Sequence, residues 1–539
     1  MTSLTAFQTL CAERAGDRPA LIYRGREVTH TDLATESRRV ASGLRRLGIG
    51  KGDRVALWMP NTPAYLTTFF ACARIGAIAT AVNTRFRSVE VQDIVGRSGA
   101  KALMLWPGFK GIDFTGMLSD IDPAALPDLK HLIAYDGEEG EPFTSPFPQA
   151  TVAPYSQLAA SDAMNDDDAD GALGCAIFTT SGTTKAPKFV LHNQSSIAEH
   201  GIDVAEKFGW REEGVSLLQS LPFCGVFGLS QIMAGLASGR TTVLMPFYDT
   251  AEAVELMKAH RVTHTAGSDD MYNMMLDATA DEPVPFPDFR FGLYAGFNAA
   301  LEDICEKAEA RGMRLCGVYG MSEVQALFSR WPEDWPAARR KRGGGIPTSP
   351  RAAIRVRDPE TGELLPPGKP GELEARGPSQ MMQYLGNAEA TAETITDDGF
   401  IRTGDLVELT PEGGFIFLSR MGDVLRLGGF LVAPAEIEAR VLEHPSVGDV
   451  QVVSATFGGR NRAIAFVLPA EAATFDEQAV LDYCATGLAR YKVPARVIPL
   501  TEFPTTLSAN GVKIQKAKLR TMAEEAATQE TATPSGGAR

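Results

Sequence analysis

Phe178-Thr179-Thr180-Ser181-Gly182-Thr183-Thr184, continuing into Lys185-Ala186-Pro187-Lys188, is the stretch on which the reading of this chain turns. An apolar run, Leu173 to Phe178, leads into it and reads as a buried strand. Five hydroxyls, one glycine, a proline and two lysines then crowd into ten residues. Ser, Thr, Gly and Pro are ordinary loop residues, so a polar surface turn accounts for them. The same residues also suit a polyphosphate, whose oxygens accept from backbone N–H and hydroxyl groups while ammonium groups offset the charge. No Gly-Lys-Ser or Gly-Lys-Thr opens a helix here, which excludes a Walker-type loop.

A chain of 539 residues exceeds what one core usually holds, so two or more domains are expected. Hydrophobic residues make up 44% and mean hydropathy is -0.08, as in an ordinary globular protein. The net charge of -15 argues against nucleic acid or an anionic membrane as the main partner, yet leaves room for a local basic pocket. Seven scattered cysteines with no Cys-x-x-Cys point to reduced thiols and a cytoplasmic setting, with neither a disulfide framework nor a zinc site. Glu13 and Arg14 interrupt what would be the apolar core of a signal peptide, and no apolar run is long enough to span a bilayer.

From residue 20 to 105, strand and helix signals alternate. Pro19–Tyr23 and Glu27-Val28 flank an Arg24-Gly25-Arg26 turn. Thr29 with Asp32 forms a capping box for a helix that carries Leu33, Val40 and Leu44 on one face and stops at Gly48. Arg54–Met59 is a buried-strand pattern, after which Thr62 caps a helix with Pro63 in its first turn. This alternation predicts a parallel sheet covered on both sides. Residues 106–170, rich in Pro, Asp and Gly, read as loop-rich surface, and the acidic run Asp166 to Asp168 as a solvated face. The basic run Arg339 to Arg342 reads the same way. Short strands and turns from 351 to 418 predict a small β-rich module, strands and a helix fill 447–488, and residues from about 521 onward have the composition of a disordered tail.

Further motifs stand at intervals: Ser220–Leu229, apolar with two glycines; Gly292–Asn298, a strand run into a glycine turn; Gly317-Val-Tyr-Gly-Met-Ser-Glu323; Asp398–Asp405 with Thr403-Gly404-Asp405; Ser419–Asp423; and Asn510–Lys516. Singly, each reads as turn or core. In this order they resemble the AMP-forming acyl-CoA synthetases, the adenylating family that also holds luciferases and peptide-synthetase adenylation domains. The phosphate loop of that family matches through Thr184 and again at Pro187-Lys188, with Lys185 and Phe189 standing where the family has glycine.

The resemblance implies an α/β fold: a large N-terminal domain of doubly wound sheets with the β-rich module (1–419), a hinge (420–423), a smaller mobile α+β C-terminal domain (424–520) and the tail (521–539). It implies a nucleotide site of Thr180, Ser181, Gly182, Thr183, Thr184 and Lys188, with Gly296, Phe297 and Asn298 at adenine, Tyr319 stacking on it, and Gly320 and Met321 beside the nucleotide. Asp405 would accept from both ribose hydroxyls, and Arg420 would reach the ribose or phosphate. Ser322 would lie near the α-phosphate and Glu323 would hold Mg2+. Phe223, Gly225, Val226 and Phe227, with Met271 nearby, would line the acid pocket, where Gly225 replaces a frequent histidine, as does Gln194 after the phosphate loop. No aspartate is present to pair a substrate ammonium, which disfavours an α-amino acid. Gly422 takes the pivot, Gly428 and Gly429 the wall of a pantetheine tunnel, and Lys513 the place of the catalytic lysine, with Lys516 the alternative.

The implied reaction uses ATP, Mg2+ and CoA. A carboxylic acid becomes an acyl-adenylate with loss of pyrophosphate, then a thioester with loss of AMP. An adenylating enzyme serving a carrier protein or another acceptor, and a catalytically silent nucleotide binder, stay open at this level. So does the choice between monomer and homodimer.

Overall fold

The computed structural model describes residues 1–138, 143–180, 187–296, 301–427, 430–457, 460–470, 474–508 and 511–532. Two sheets organise the large domain. In the eight-stranded sheet, Gly174–Thr179, Ile78–Ala81, Arg54–Trp58, Ala100–Leu105, His131–Ala134 and Thr151–Pro154 run parallel. Phe189–Asn193 and Gln383–Tyr384 join antiparallel at the other edge. The thirteen-stranded sheet has a parallel half built from Leu315–Met321, Phe291–Ala295, His264–Ser268, Leu217–Gln219, Thr242–Leu244 and Pro19–Tyr23. Its antiparallel half, beginning at Gln325–Arg330, includes the strands expected between 351 and 418.

The local signals translate directly. Thr29 caps the helix His30–Arg46 in a full capping box with Asp32, and Thr62 caps Pro63–Arg74 with proline in the first turn. Leu33, Val40, Leu44, Leu66, Phe69 and Phe70 are all buried in one core with the strands of the eight-stranded sheet. Burying a large aliphatic or aromatic side chain is worth about 1.5–3 kcal/mol each, so these helices are held chiefly by the sheet.

Three expectations need correction. The stretch 106–170 is more than loop: it supplies the strands His131–Ala134 and Thr151–Pro154, which extend the parallel edge. Its acidic run is exposed, as expected of a solvated face, and pairs with arginines behind it, Asp168 2.7 Å from Arg45 and Asp167 3.0 Å from Arg74. Within the basic run, Arg340 is 1% exposed, so it belongs to the interior. The tail expected from 521 is helical as far as Ala532, because Leu519, Ala523 and Ala527 give the helix Lys516–Ala532 a buried stripe.

The C-terminal segment has hydrophobic clusters of its own. One joins Leu425, Val432, Ile437, Val450, Ala465, Val480 and Val497, and another sets Leu519 and Ala523 against Val453 and Phe466. Strands Val447–Phe457 and Arg460–Pro469 pair antiparallel, with Arg496–Pro499 parallel beside them. All seven cysteines are free and buried. Among the described residues no helix is long and apolar enough to cross a membrane.

Candidate active site

Strand Gly174–Thr179 delivers Thr180 to the end of the sheet, and strand Phe189–Asn193 returns antiparallel to it. The two arms are cross-tied: Thr180 N–H donates to the Lys188 carbonyl at 3.0 Å, and Lys188 N–H to Thr180 Oγ1 at 3.1 Å. Ser181, Gly182, Thr183, Thr184 and Lys185 lie outside the described residues. Lys188 is exposed, with its Nζ 4.6 Å above the Tyr384 ring.

Thr180 opens onto a cavity of about 690 Å³. Gly320, Met321, Ser322 and Glu323 form one wall at the end of strand Leu315–Met321. Val226 and Phe227, in the first turn of the helix Val226–Ser238, add an apolar side together with Ala295, Val318, Ala326 and Leu327. Arg420, Gly422 and Asp423 lie at the mouth, and Ile514, Lys516, Ala517 and Arg520 face in from the C-terminal segment. Gly320 has a steric reason to be glycine, since a Cβ there would sit 2.5 Å from the Ala326 Cα. Gln325 and Leu327, on either side of Ala326, hold positive φ of 64° and 63°, a conformation rare for such residues and typical of sites where the surroundings impose it.

Two contacts fix the Ser322–Glu323 turn, and sequence reading missed both partners. Tyr384 donates its hydroxyl to Glu323 Oε1 at 2.7 Å. His192 Nε2 lies 2.7 Å from the Ser322 carbonyl, so that nitrogen carries the proton and donates. Burial pushes His192 down to about 4, which keeps the ring neutral near pH 7. A histidine on a strand directly after the phosphate loop was the available signal; its partner, 130 residues away, was not.

Asp405 is 1% exposed. Its Oδ2 accepts from the Tyr319 hydroxyl at 2.5 Å, and its Oδ1 lies 3.0 Å from Arg420 Nη1. That Oδ1 is buried and receives no aligned hydrogen bond. Burial pushes the carboxyl up to about 6, against the lowering influence of Arg420 and Tyr319. Gly404, beside Asp405, lines the cavity.

Several residues sit differently from expectation. Tyr319 is no open stacking platform: its ring is 7% exposed, edge-on to Phe415 at 5.0 Å, because the hydroxyl is drawn down to Asp405. Phe223 packs in the core against Tyr65 at 5.5 Å and does not line the cavity, because Asn61 Oδ1 ties down its N–H at 2.8 Å. Gly225 is the N-cap of the helix Val226–Ser238, just behind the wall. Met271 caps its own helix beneath Gly267, away from the cavity. Gln194 is a structural amide, accepting from Leu4 N–H and donating to the Ala73 carbonyl. Gly296 ends its strand exposed, while Phe297 and Asn298 fall outside the described residues, as do Gly428 and Gly429. Gly422 is exposed, with nothing within 4 Å of where a Cβ would sit. Lys513 lies in the strand Gly511–Ile514, and Lys516, which lines the cavity, pairs with Glu438 at 3.3 Å.

A loop-bearing parallel sheet, a carboxylate-lined cavity and a small domain closing over it define an adenylate-forming enzyme. The AMP-binding enzyme pattern spans residues 8–385 and the AMP-binding enzyme C-terminal domain pattern residues 436–510, so the chain belongs to the AMP-binding enzyme family, as an AMP-forming ligase of the acyl-CoA synthetase kind. It is 28% identical over 544 residues to the human mitochondrial medium-chain acyl-CoA ligase ACSF2, covering 95% of this chain and 86% of that one. Its fold is similar to that of ATP-bound MatB from Rhodopseudomonas palustris, with TM-score 0.81 and 24% identity over 96% of this chain and 99% of that one. The amide bond synthetase McbA from Marinactinospora thermotolerans is similar at TM-score 0.80 and 22% identity, over 96% and 99%.

Proposed function

We propose that this enzyme joins an uncharged aliphatic or aromatic carboxylic acid to CoA in two steps at the cavity beside Thr180. In the first, a carboxylate oxygen of the acid attacks the α-phosphorus of ATP. A P–O bond forms, the bond to the β-phosphate breaks, and pyrophosphate leaves. In the second, the CoA thiol, giving up its proton, attacks the acyl carbon, and AMP leaves. Both steps build negative charge in a confined space, and groups already in place to meet that charge lower the barrier without reorganising.

The observation that carries this reading is the convergence on one cavity of Glu323, Arg420 and Lys516, with Asp405 directly behind Gly404. Asp405 Oδ1, buried and without an aligned donor, suits a ribose hydroxyl. Glu323, oriented by Tyr384, would hold Mg2+, an ion that takes one or two carboxylates and keeps its other positions for water and phosphate. Bound there, Mg2+ would neutralise charge on the phosphate oxygens. Thr180, Lys188 and the intervening 181–184 donors would hold the β- and γ-phosphates. Gly296, Phe297 and Asn298 would hold adenine, and Ser322 the reacting carboxylate. Gly422 would serve as pivot, and Lys513 would act in the first step and withdraw in the second, when Gly428 and Gly429 would meet CoA.

Val226, Phe227, Ala295, Val318, Ala326 and Leu327 bring no charge to the acyl side, so a second carboxylate on the substrate would be left unpaired. This supports an uncharged tail. The similarity to an amide bond synthetase keeps a second acceptor in view, an amine in place of the thiol. Pyrophosphate release measured over a panel of acids, each with and without CoA or an amine, tests all of this. The expected result is release with monocarboxylic acids and thioester only when CoA is added. Preference for a dicarboxylate, or turnover only with an amine, would contradict it.

A further inference from the structure

The position where this chain carries Phe189 in place of the family's glycine has a partner. Phe189 opens the strand that leaves the phosphate loop and is 3% exposed. The guanidinium of Arg97, from the helix Ser88–Ser98, lies 4.3 Å from its ring centroid. The same guanidinium donates Nη2–H to the Pro187 carbonyl at 2.9 Å. Asp93, one turn back on that helix, holds it from behind with two bonds, Nε to Oδ1 at 2.7 Å and Nη2 to Oδ2 at 2.6 Å. A planar, doubly held guanidinium that stacks and donates at once has little freedom left.

We infer that Arg97 is a positioning residue for ATP: by clamping Pro187 and Phe189 it sets where Lys188 between them presents its ammonium. Glycine allows a loop arm to move. Phenylalanine stacked under arginine fixes it, and Lys188 is tied on the other side by its N–H bond to Thr180 Oγ1 and its ammonium over Tyr384. Among the described residues the hydrogen bonds and ring contact of Arg97 go to Asp93, Pro187 and Phe189, so its effect should fall on the phosphates beyond the α-phosphate. This inference rests on the reading of residues 180–188 as the polyphosphate site.

The test compares ATP with AMP, because only ATP has the β- and γ-phosphates. For Arg97→Ala, losing one charge-assisted hydrogen bond and one stack predicts an ATP KM and an ATP dissociation constant raised about tenfold. The AMP dissociation constant should stay within about twofold and the KM for the acid should not change. Phe189→Leu, which keeps the burial and removes the ring, should move ATP in the same direction by a smaller factor. The double variant should fall short of the product of the two effects, since both break one clamp. Arg97→Lys should recover part of the loss at most. Equal loss of ATP and AMP affinity would show a merely structural role, and unchanged ATP affinity in all variants would show no role; either overturns the inference while leaving the adenylation reading intact. Failure of the unaltered enzyme to bind ATP would overturn both.

Discussion

Asp405 is the residue at which geometry and protonation meet. An aspartate usually titrates near 3.8, and burial raises this one to about 6. Between those values the folded protein takes up the proton and the unfolded chain does not, so the cost of burying this charge is relieved as pH falls through 6. Nucleoside binding should run the other way, because protonation replaces the charged acceptor for a ribose hydroxyl with a weaker neutral one. Adenosine, which has no phosphate titrating in this range, should bind with constant affinity above about pH 7 and weaken toward tenfold per pH unit below about pH 6. Calorimetric titration across pH 5 to 8 checks this, and Asp405→Asn should bind weakly with a flat profile. The motifs themselves were legible in the sequence, and Gly404 and Gly320 to Glu323 from them line one cavity. The Tyr319–Asp405 bond was not legible, because it spans 86 residues and no local pattern encodes which hydroxyl meets which carboxylate.

Among the elements, helix starts were readable because a cap is a local device: Thr29 and Thr62 act within four residues of themselves. The run Arg339 to Arg342 shows the opposite case. Composition marks it as a solvated face, yet Arg340 threads inward and donates to the Trp335 carbonyl at 2.7 Å, to Glu309 at 2.9 Å and to the Leu315 carbonyl at the start of the strand that carries Tyr319. Arg339, beside it, lies over the Trp335 ring at 3.9 Å and pairs with exposed Glu412. Arg340→Met keeps the volume but removes the charged donor to the Trp335 and Leu315 carbonyls and to Glu309, and should cost roughly 2–4 kcal/mol. Arg339→Met should cost no more than about 1 kcal/mol. Urea unfolding of the two variants side by side measures the difference. The strands within 106–170 were hidden for a related reason, being four residues each, with register set by neighbours such as Ala100–Leu105 and not by their own alternation.

Over the whole molecule, the C-terminal segment meets the pivot through its last helix. Arg520, on that helix, donates to the Gly422 carbonyl at 2.6 Å and pairs with Asp423. These contacts tie the helix Lys516–Ala532 to the proposed pivot, an exposed glycine with open space around it. A partly exposed ion pair such as Arg520–Asp423, worth about 0–1 kcal/mol, can be displaced by ligand contacts that favour another arrangement. In the proposed mechanism Lys513 stands at the reacting phosphate in the first step and away from it in the second. The most direct measurement is a pair of single-turnover assays on Lys513→Ala: acyl-adenylate formed from acid and ATP, and thioester formed from supplied acyl-adenylate and CoA. The account predicts at least about a hundredfold loss in the first and near-normal rates in the second. Equal loss in both steps, or an unimpaired first step, would contradict it.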